Sequence, residues 1–294
     1  MTTRKLTCLL LLLCWMLPHL LMSNRWVHGS LYLPVLQEGY EISQFSGHPL
    51  SIEEEAAVLP ASIRIIGKAQ EGLLLAGSNG LRLRFRGPGS LAFERLEQQV
   101  SGNRLAGKSR SILSMNTGRV EVDSRALANE SKLIFELPIG QVQMDHALGL
   151  IEISYSSRSR IYSFEIDCLQ GTVLFADRSG RDYRIEAGQT LTGAGDSFEP
   201  SLEISDLTGS VQDKLAAFVQ NCNRGLKSIE DNPQLFFQEM IEVRNNDRKK
   251  KRSESMPADV NDGSEPYIIE FSANPSLLIP RYGVAGQLSP SEKE

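Results

Sequence analysis

The chain has 294 residues, a formal net charge of -5 and a hydrophobic fraction of 41%, enough for a sizeable core in one or two domains. The mildly acidic balance excludes nucleic acid as the main partner, because gripping phosphates needs a basic face. Four cysteines with no CxxC spacing exclude a disulfide framework, a zinc ribbon and a thioredoxin-type site.

Residues 1–29 read as a signal peptide or signal anchor. Arg4 and Lys5 supply the positive start, Leu6 to Met22 is apolar and Leu-rich, and Val27-His28-Gly29 offers a cut ahead of Ser30. The apolar run is long for a cleaved signal and short for a membrane span of about 20 residues. Pro18 and the late small-residue site favour cleavage. A retained segment, residues 6–22, would anchor the chain in an inner membrane, its one membrane contact. In both cases the body is expected outside the cytoplasm, periplasmic or secreted.

Between Ser30 and Leu59, Tyr40-Glu41-Ile42 and Pro49 to Ile52 suggest short strands, and Glu53-Glu54-Glu55 suggests a solvated turn. Ile63, Ile65, Leu73 and Leu75 recur at strand spacing, and Gly77-Ser78-Asn79-Gly80 is a turn signal. Leu81, Leu83 and Phe85 then alternate with Arg82, Arg84 and Arg86, so one strand face is apolar and the other carries three guanidinium groups. Gly87-Pro88-Gly89-Ser90 turns the chain into Leu91, Phe93 and Glu94. A short hairpin there would set Phe85 opposite Phe93 and Arg84 opposite Glu94. The arginine row has two readings: a solvated sheet face, or a groove for an anionic ligand such as an acidic polysaccharide. These three arginines are the candidate ligand-binding residues. Val100 to Arg110 is polar and reads as a loop.

From Ser111 to Gly193 the chain is short alternating strands broken by Gly and Pro. Examples are Arg119-Val120-Glu121-Val122-Asp123, Leu133 to Leu137, Leu150 to Tyr155, Ile161 to Ile166 and Thr172 to Ala176. Turn signals about every 8–12 residues predict an all-β sandwich or barrel, and the expected fold class is mainly β, an antiparallel β-sandwich or β-solenoid-like module. Pro200 to Ile204 suggests a last strand. Val211, Leu215, Phe218, Val219, Cys222, Leu226 and Ile229 then fall at helical spacing behind Ser210, an N-cap with Asp213 at N3. Asn232-Pro233 opens a second predicted helix carrying Phe236, Phe237, Met240, Ile241 and Val243. Charged residues around Arg248 to Arg252, then scattered prolines, predict a disordered tail in which Tyr267 to Phe271 is a short strand. The expected layout is a leader (1–29), a β domain (30–205), a helical hairpin (206–245) and an irregular tail (246–294). Cys168 and Cys222 read as two buried thiols, with a bridge as the alternative.

Several of these segments resemble the FecR domain. They are Gly80-Leu81-Arg82-Leu83-Arg84-Phe85 running into Gly87-Pro88-Gly89-Ser90-Leu91, Gly118-Arg119-Val120-Glu121-Val122, Leu137-Pro138-Ile139-Gly140, Gly171-Thr172-Val173 and Ala187-Gly188-Gln189. They keep the family's order over roughly Ile63 to Gly193. Leu137 stands where the family often has Thr, and Gly149-Leu150 where it often has Gly-Thr. The resemblance implies a periplasmic β module of the bacterial envelope. The cytoplasmic segment with which such regulators grip a sigma factor has no counterpart, since only five residues precede the apolar run.

No reactive constellation assembles. With the leader removed, His48 and His146 are the histidines left, and neither HExxH nor GxSxG is present. No catalytic residue, metal site or cofactor is expected. Glu152 and Glu165, on neighbouring strands, are the nearest thing to a glycosidase pair, and Asp145-His146 reads as a loop. The expected function is therefore a non-catalytic binding or regulatory module acting on an envelope protein or a surface glycan. The alternatives are a structural envelope scaffold and, behind it, a carbohydrate-active enzyme. The sequence sets neither the ligand nor the oligomeric state.

Overall fold

The computed structural model describes residues 25–225 except 51, 53–56, 61, 69–70, 102–103 and 197–199, then 234, 237–238, 240–242, 245–246 and 249. The apolar leader, the Glu53–Glu55 turn, the Asn232-Pro233 helix start, the basic block apart from Lys249, and the tail lie outside the described residues. The described residues fall in one compact unit.

Sixteen strands join in one mixed sheet. They are β1 (Arg25–His28), β2 (Ser30–Leu33), β3 (Tyr40–Gln44), β4 (Ala57–Pro60), β5 (Ile63–Gly67), β6 (Leu73–Gly77), β7 (Arg82–Arg86) and β8 (Gly89–Ser101). There follow β9 (Arg104–Met115), β10 (Gly118–Asp123), β11 (Lys132–Leu137), β12 (Gly140–Ser156), β13 (Ile161–Asp177), β14 (Asp182–Glu186), β15 (Gln189–Gly195) and β16 (Ser201–Asp206). A helix, α1 (Gly209–Gly225), follows them, and among the described residues 234, 237–238, 240–242, 245–246 and 249 are helical too.

The shape follows from the length of β12. Its first half pairs with β11 and its second half with β10, while β13 runs along its whole other edge. Two wings therefore leave β12 on the same side. One runs β11-β9-β8-β5-β3 and the other β10-β7-β6-β2-β4. The strand bends between them, where the register slips around Asp145 to Gly149 and His146 takes φ 43°. The wings close over one core that holds Phe93, Leu113 and Phe135 from the first and Leu75, Phe85 and Val120 from the second. The predicted sandwich is thus a single sheet curled on itself. It is antiparallel except where β9 runs parallel to β11.

Several local expectations are corrected. Asp145-His146 sits at the bend within β12 rather than in a loop. Val100 to Arg110 is not a loop, because β8 and β9 pair from Leu91–Met115 out to Ser101–Arg104. Polarity misled there because this ribbon projects past the core. The last residues of the predicted leader form β1, which pairs with β8, so a cut ahead of Ser30 would delete a strand. Strands β7 and β8 form no hairpin. Phe85 lies opposite Leu73 and Val120, and Phe93 opposite Ile63 and Leu113. The intervening turn is a corner that carries the chain from one wing to the other. A side chain on Gly89 would stand 1.9 Å from the Thr117 carbonyl oxygen, and one on Gly87 2.4 Å from that of Gly67, so only glycine fits where these backbones meet.

Helix α1 begins at Gly209, with Thr208 rather than Ser210 as its cap, since the Thr208 carbonyl accepts from the Gln212 N–H. Its buried stripe of Val211, Leu215, Phe218 and Cys222 lies on the outer face of the second wing with Ala76, Leu148, Leu150 and Met240. Cys168 belongs to the inner core and Cys222 to this outer layer, so the sheet separates them, and both thiols are free. Burial pushes Cys168 up to about 11 and Cys222 up to about 12.

Candidate functional site

The arginines predicted on one strand face are on one face. That face is the outer side of the second wing, and most of it is covered rather than solvated. Arg82 is 2% exposed and Arg84 is buried. Two things cover them. Strand β10 supplies acids in register, Asp123 opposite Arg82 and Glu121 opposite Arg84. Helix α1 supplies the lid: the Arg84 guanidinium lies 5.3 Å from the Phe218 ring centroid, and Arg82 donates to the Asn223 Oδ1 at 3.3 Å.

Glu121, on the middle strand of that face, takes most of the charge. Arg84 grips it with both prongs, Nε to Oε2 at 3.1 Å and Nη2 to Oε1 at 3.0 Å. Arg86 approaches the same carboxylate at 3.3 Å and Arg119 at 3.5 Å. Arg119 also faces Glu152 at 3.6 Å. Arg82 and Arg84 are therefore structural residues here. The helix covers Arg84, whereas Arg82 borders a hollow of about 420 Å³ with Asp123, Arg125, Val219 and Asn223.

Where the helix cover ends, the pattern changes. Arg86, Arg119, Glu152 and Glu165 form one row across β7, β10, β12 and β13. Beside it, at one end of the curled sheet, lies a cleft of about 460 Å³, within the order of volume that small-ligand sites occupy. Its walls are the Gly87-Pro88-Gly89 corner, the Thr117-Gly118 turn, Arg86, Arg119, Glu152 and Tyr155. Two motifs that the sequence presents as separate turns thus share one wall. The Tyr155 and Tyr162 rings pack at 4.7 Å between centroids, and Tyr155 is 45% exposed.

Further along the same face, Asp167 is fully buried. Thr190 donates to its Oδ1, and its Oδ2 has no hydrogen-bond partner among the described residues. Burial pushes its carboxyl up to about 7; the hydrogen bond from Thr190 opposes that, and the nearby Glu165 charge adds to it. Glu152 and Glu165, named from sequence as a carboxylate pair, stand directly opposite one another. His146 stands apart from this row, its Nε2 3.8 Å from Asp145. Among the described residues no cluster of three or more His, Cys, Asp or Glu side chains is arranged to hold a metal ion, and no helix is long and apolar enough to cross a membrane.

Arg119 is the functional candidate that the sequence reading passed over. It sits in the Gly-x-Val-x-Val strand, where it reads as one more solvated charge. Its alternation with Glu121 was visible; its place beside Arg86 depends on register between strands far apart in the chain.

No family model and no curated protein matches the chain. Among solved structures it is similar to a crystal structure, at 2.50 Å resolution, of a candidate anti-sigma factor from Parabacteroides distasonis. The two share 10% identity with a TM-score of 0.38, over 53% of this chain and 64% of that one. A likeness that distant leaves the function to be argued from the site.

Proposed function

We propose that this chain is a non-catalytic binding module of FecR-like kind, exported from a bacterial cytoplasm, that recognises an envelope protein or a surface glycan. The observation that supports it is the cleft at the end of the sheet. Arg84 on this face is taken up by the fold, whereas Arg86 and Arg119 line an open concavity beside an exposed tyrosine. Charged groups with an exposed aromatic at a rim are what recognition sites use. The test is binding of the purified chain to an array of bacterial surface glycans and to separated envelope proteins, wild type against Arg119→Gln/Tyr155→Ala. Binding lost in the folded double variant supports the reading. A chain that binds nothing on either set sinks it.

A second reading, glycoside cleavage, has one observation in its favour: Glu152 and Glu165 face each other in register. Hydrolysis of an arrayed glycan that disappears in both Glu152→Gln and Glu165→Gln would favour it over the first.

A further inference from the structure

The end of the sheet that holds the cleft also carries a protruding tip. Strand β12 runs on past Ile153, the last residue that β10 pairs with, and β13 begins before Tyr162, the last that β15 pairs with. The β12–β13 hairpin therefore outruns both neighbours, and Ser154 to Ile161 is exposed without a break. Its turn is closed by its own bonds: the Arg160 N–H donates to the Ser156 carbonyl at 2.7 Å and the Ser159 N–H to the Ser156 Oγ at 3.3 Å. Arg158 and Arg160 stand on that turn. Neither guanidinium has a hydrogen bond or an ion pair among the described residues, whereas the arginines of β7 and β10 each meet an acid. Apolar surface flanks the turn on both sides. Tyr155 and Tyr162 lie opposite one another on one face of the hairpin, and Ile161, 39% exposed, lies on the other.

We propose that this hairpin tip docks on an anionic lipid surface. The contact goes beyond the cleft and does not depend on it. Two unanswered arginines on an exposed turn complement acidic headgroups, against a chain whose net charge is -5. Tyrosine rings, apolar with a polar tip, suit the depth of the headgroups, and Ile161 suits the boundary just beneath them. The shape selects the partner. A groove on another protein takes one face of a strand, whereas a fluid headgroup layer closes around a convex tip and meets both faces. The tyrosines and Ile161 are then buried by the same contact.

The experiment is co-sedimentation of the full chain with vesicles of phosphatidylcholine and of a phosphatidylcholine–phosphatidylglycerol mixture. The leader, with Arg4 and Lys5, is common to every variant, so the comparison between variants reads the tip alone. Wild type should bind the mixed vesicles more tightly. Arg158→Gln/Arg160→Gln should weaken that binding by about tenfold or more and leave binding to phosphatidylcholine unchanged. Arg158→Lys/Arg160→Lys should retain most of it, and Ile161→Ser should weaken it by about threefold. Equal binding to the two vesicles overturns the proposal, as does a folded Arg158→Gln/Arg160→Gln chain that binds the mixture like wild type. Release of the chain from the mixed vesicles by soluble polyglutamate at matched charge would assign the tip to an acidic protein instead, and would equally overturn it.

Discussion

Arg84 and Arg119 stand on neighbouring strands of one sheet face and share one carboxylate, yet they belong to different worlds. Arg84 is roofed by Phe218, doubly hydrogen-bonded and only 9% exposed. Arg119 is 20% exposed, loosely held, and beside a cleft. The difference lies in the helix. Residues 209–225 cover the upper rows of the face and stop short of the lower one. The same residue type on the same strand pair is scaffold under the helix and available chemistry beyond it.

The comparison breaks most sharply at Glu121. Glu121→Ala leaves three guanidinium groups facing one another without their common acceptor, two of them largely shielded. It should cost about 3–5 kcal/mol, read as a fall in the urea midpoint with an unchanged slope. A loss under about 1 kcal/mol would mean that water reaches the row beneath the helix.

Asp167 gives the next effect, and its sign is set by its raised acidity. Its carboxyl keeps the proton to about pH 7 when folded, against 3.8 as the ordinary value. Between those values this group binds more proton in the folded chain than in the unfolded one, so its own contribution to stability is fullest below about pH 4 and is lost as pH rises to about 7. Asp167→Asn should flatten that fall. The variant should match wild type at pH 4 and exceed it at pH 8, by denaturant midpoints at the two pH values. Equal midpoints at pH 8 would show that Asp167 is hydrated or partnered.

The smallest effect is at the cleft. Arg119→Gln, outside the helix cover, should cost less than about 1 kcal/mol, whereas Arg84→Gln should cost several times more because it removes the two aligned hydrogen bonds of the buried Glu121. Comparable losses in the two melts would erase the distinction between scaffold and site.

How far the residues foretold this can be traced strand by strand. Alternation in 119–123, 133–137 and 150–155 announced the β body because one face of each strand packs on the core, a local property of period two. The helix was legible for the same reason at a different period. What stayed hidden was register. Nothing in residues 82–86 says that 119–123 will lie beside them, and so nothing says that Glu121 will neutralise Arg84 or that a helix from beyond residue 208 will roof both. The expected Arg84–Glu94 pair failed because Gly87 to Gly89 turns a corner between wings instead of closing a hairpin. The Ser78-Asn79 turn was legible as a turn, but its burial was not. It is buried, with Asn79 donating to Ser109 and Ser111 at 3.0 and 3.1 Å, because distant β9 brings the hydroxyls that satisfy it.

The sheet also keeps two thiols on opposite sides, Cys168 within and Cys222 without. Each is a clock wired to a different door. Alkylation at Cys222 should time the lifting of the helix, and alkylation at Cys168 the parting of the wings. Followed by mass spectrometry, the first should run ahead of the second if the roof comes off before the house opens.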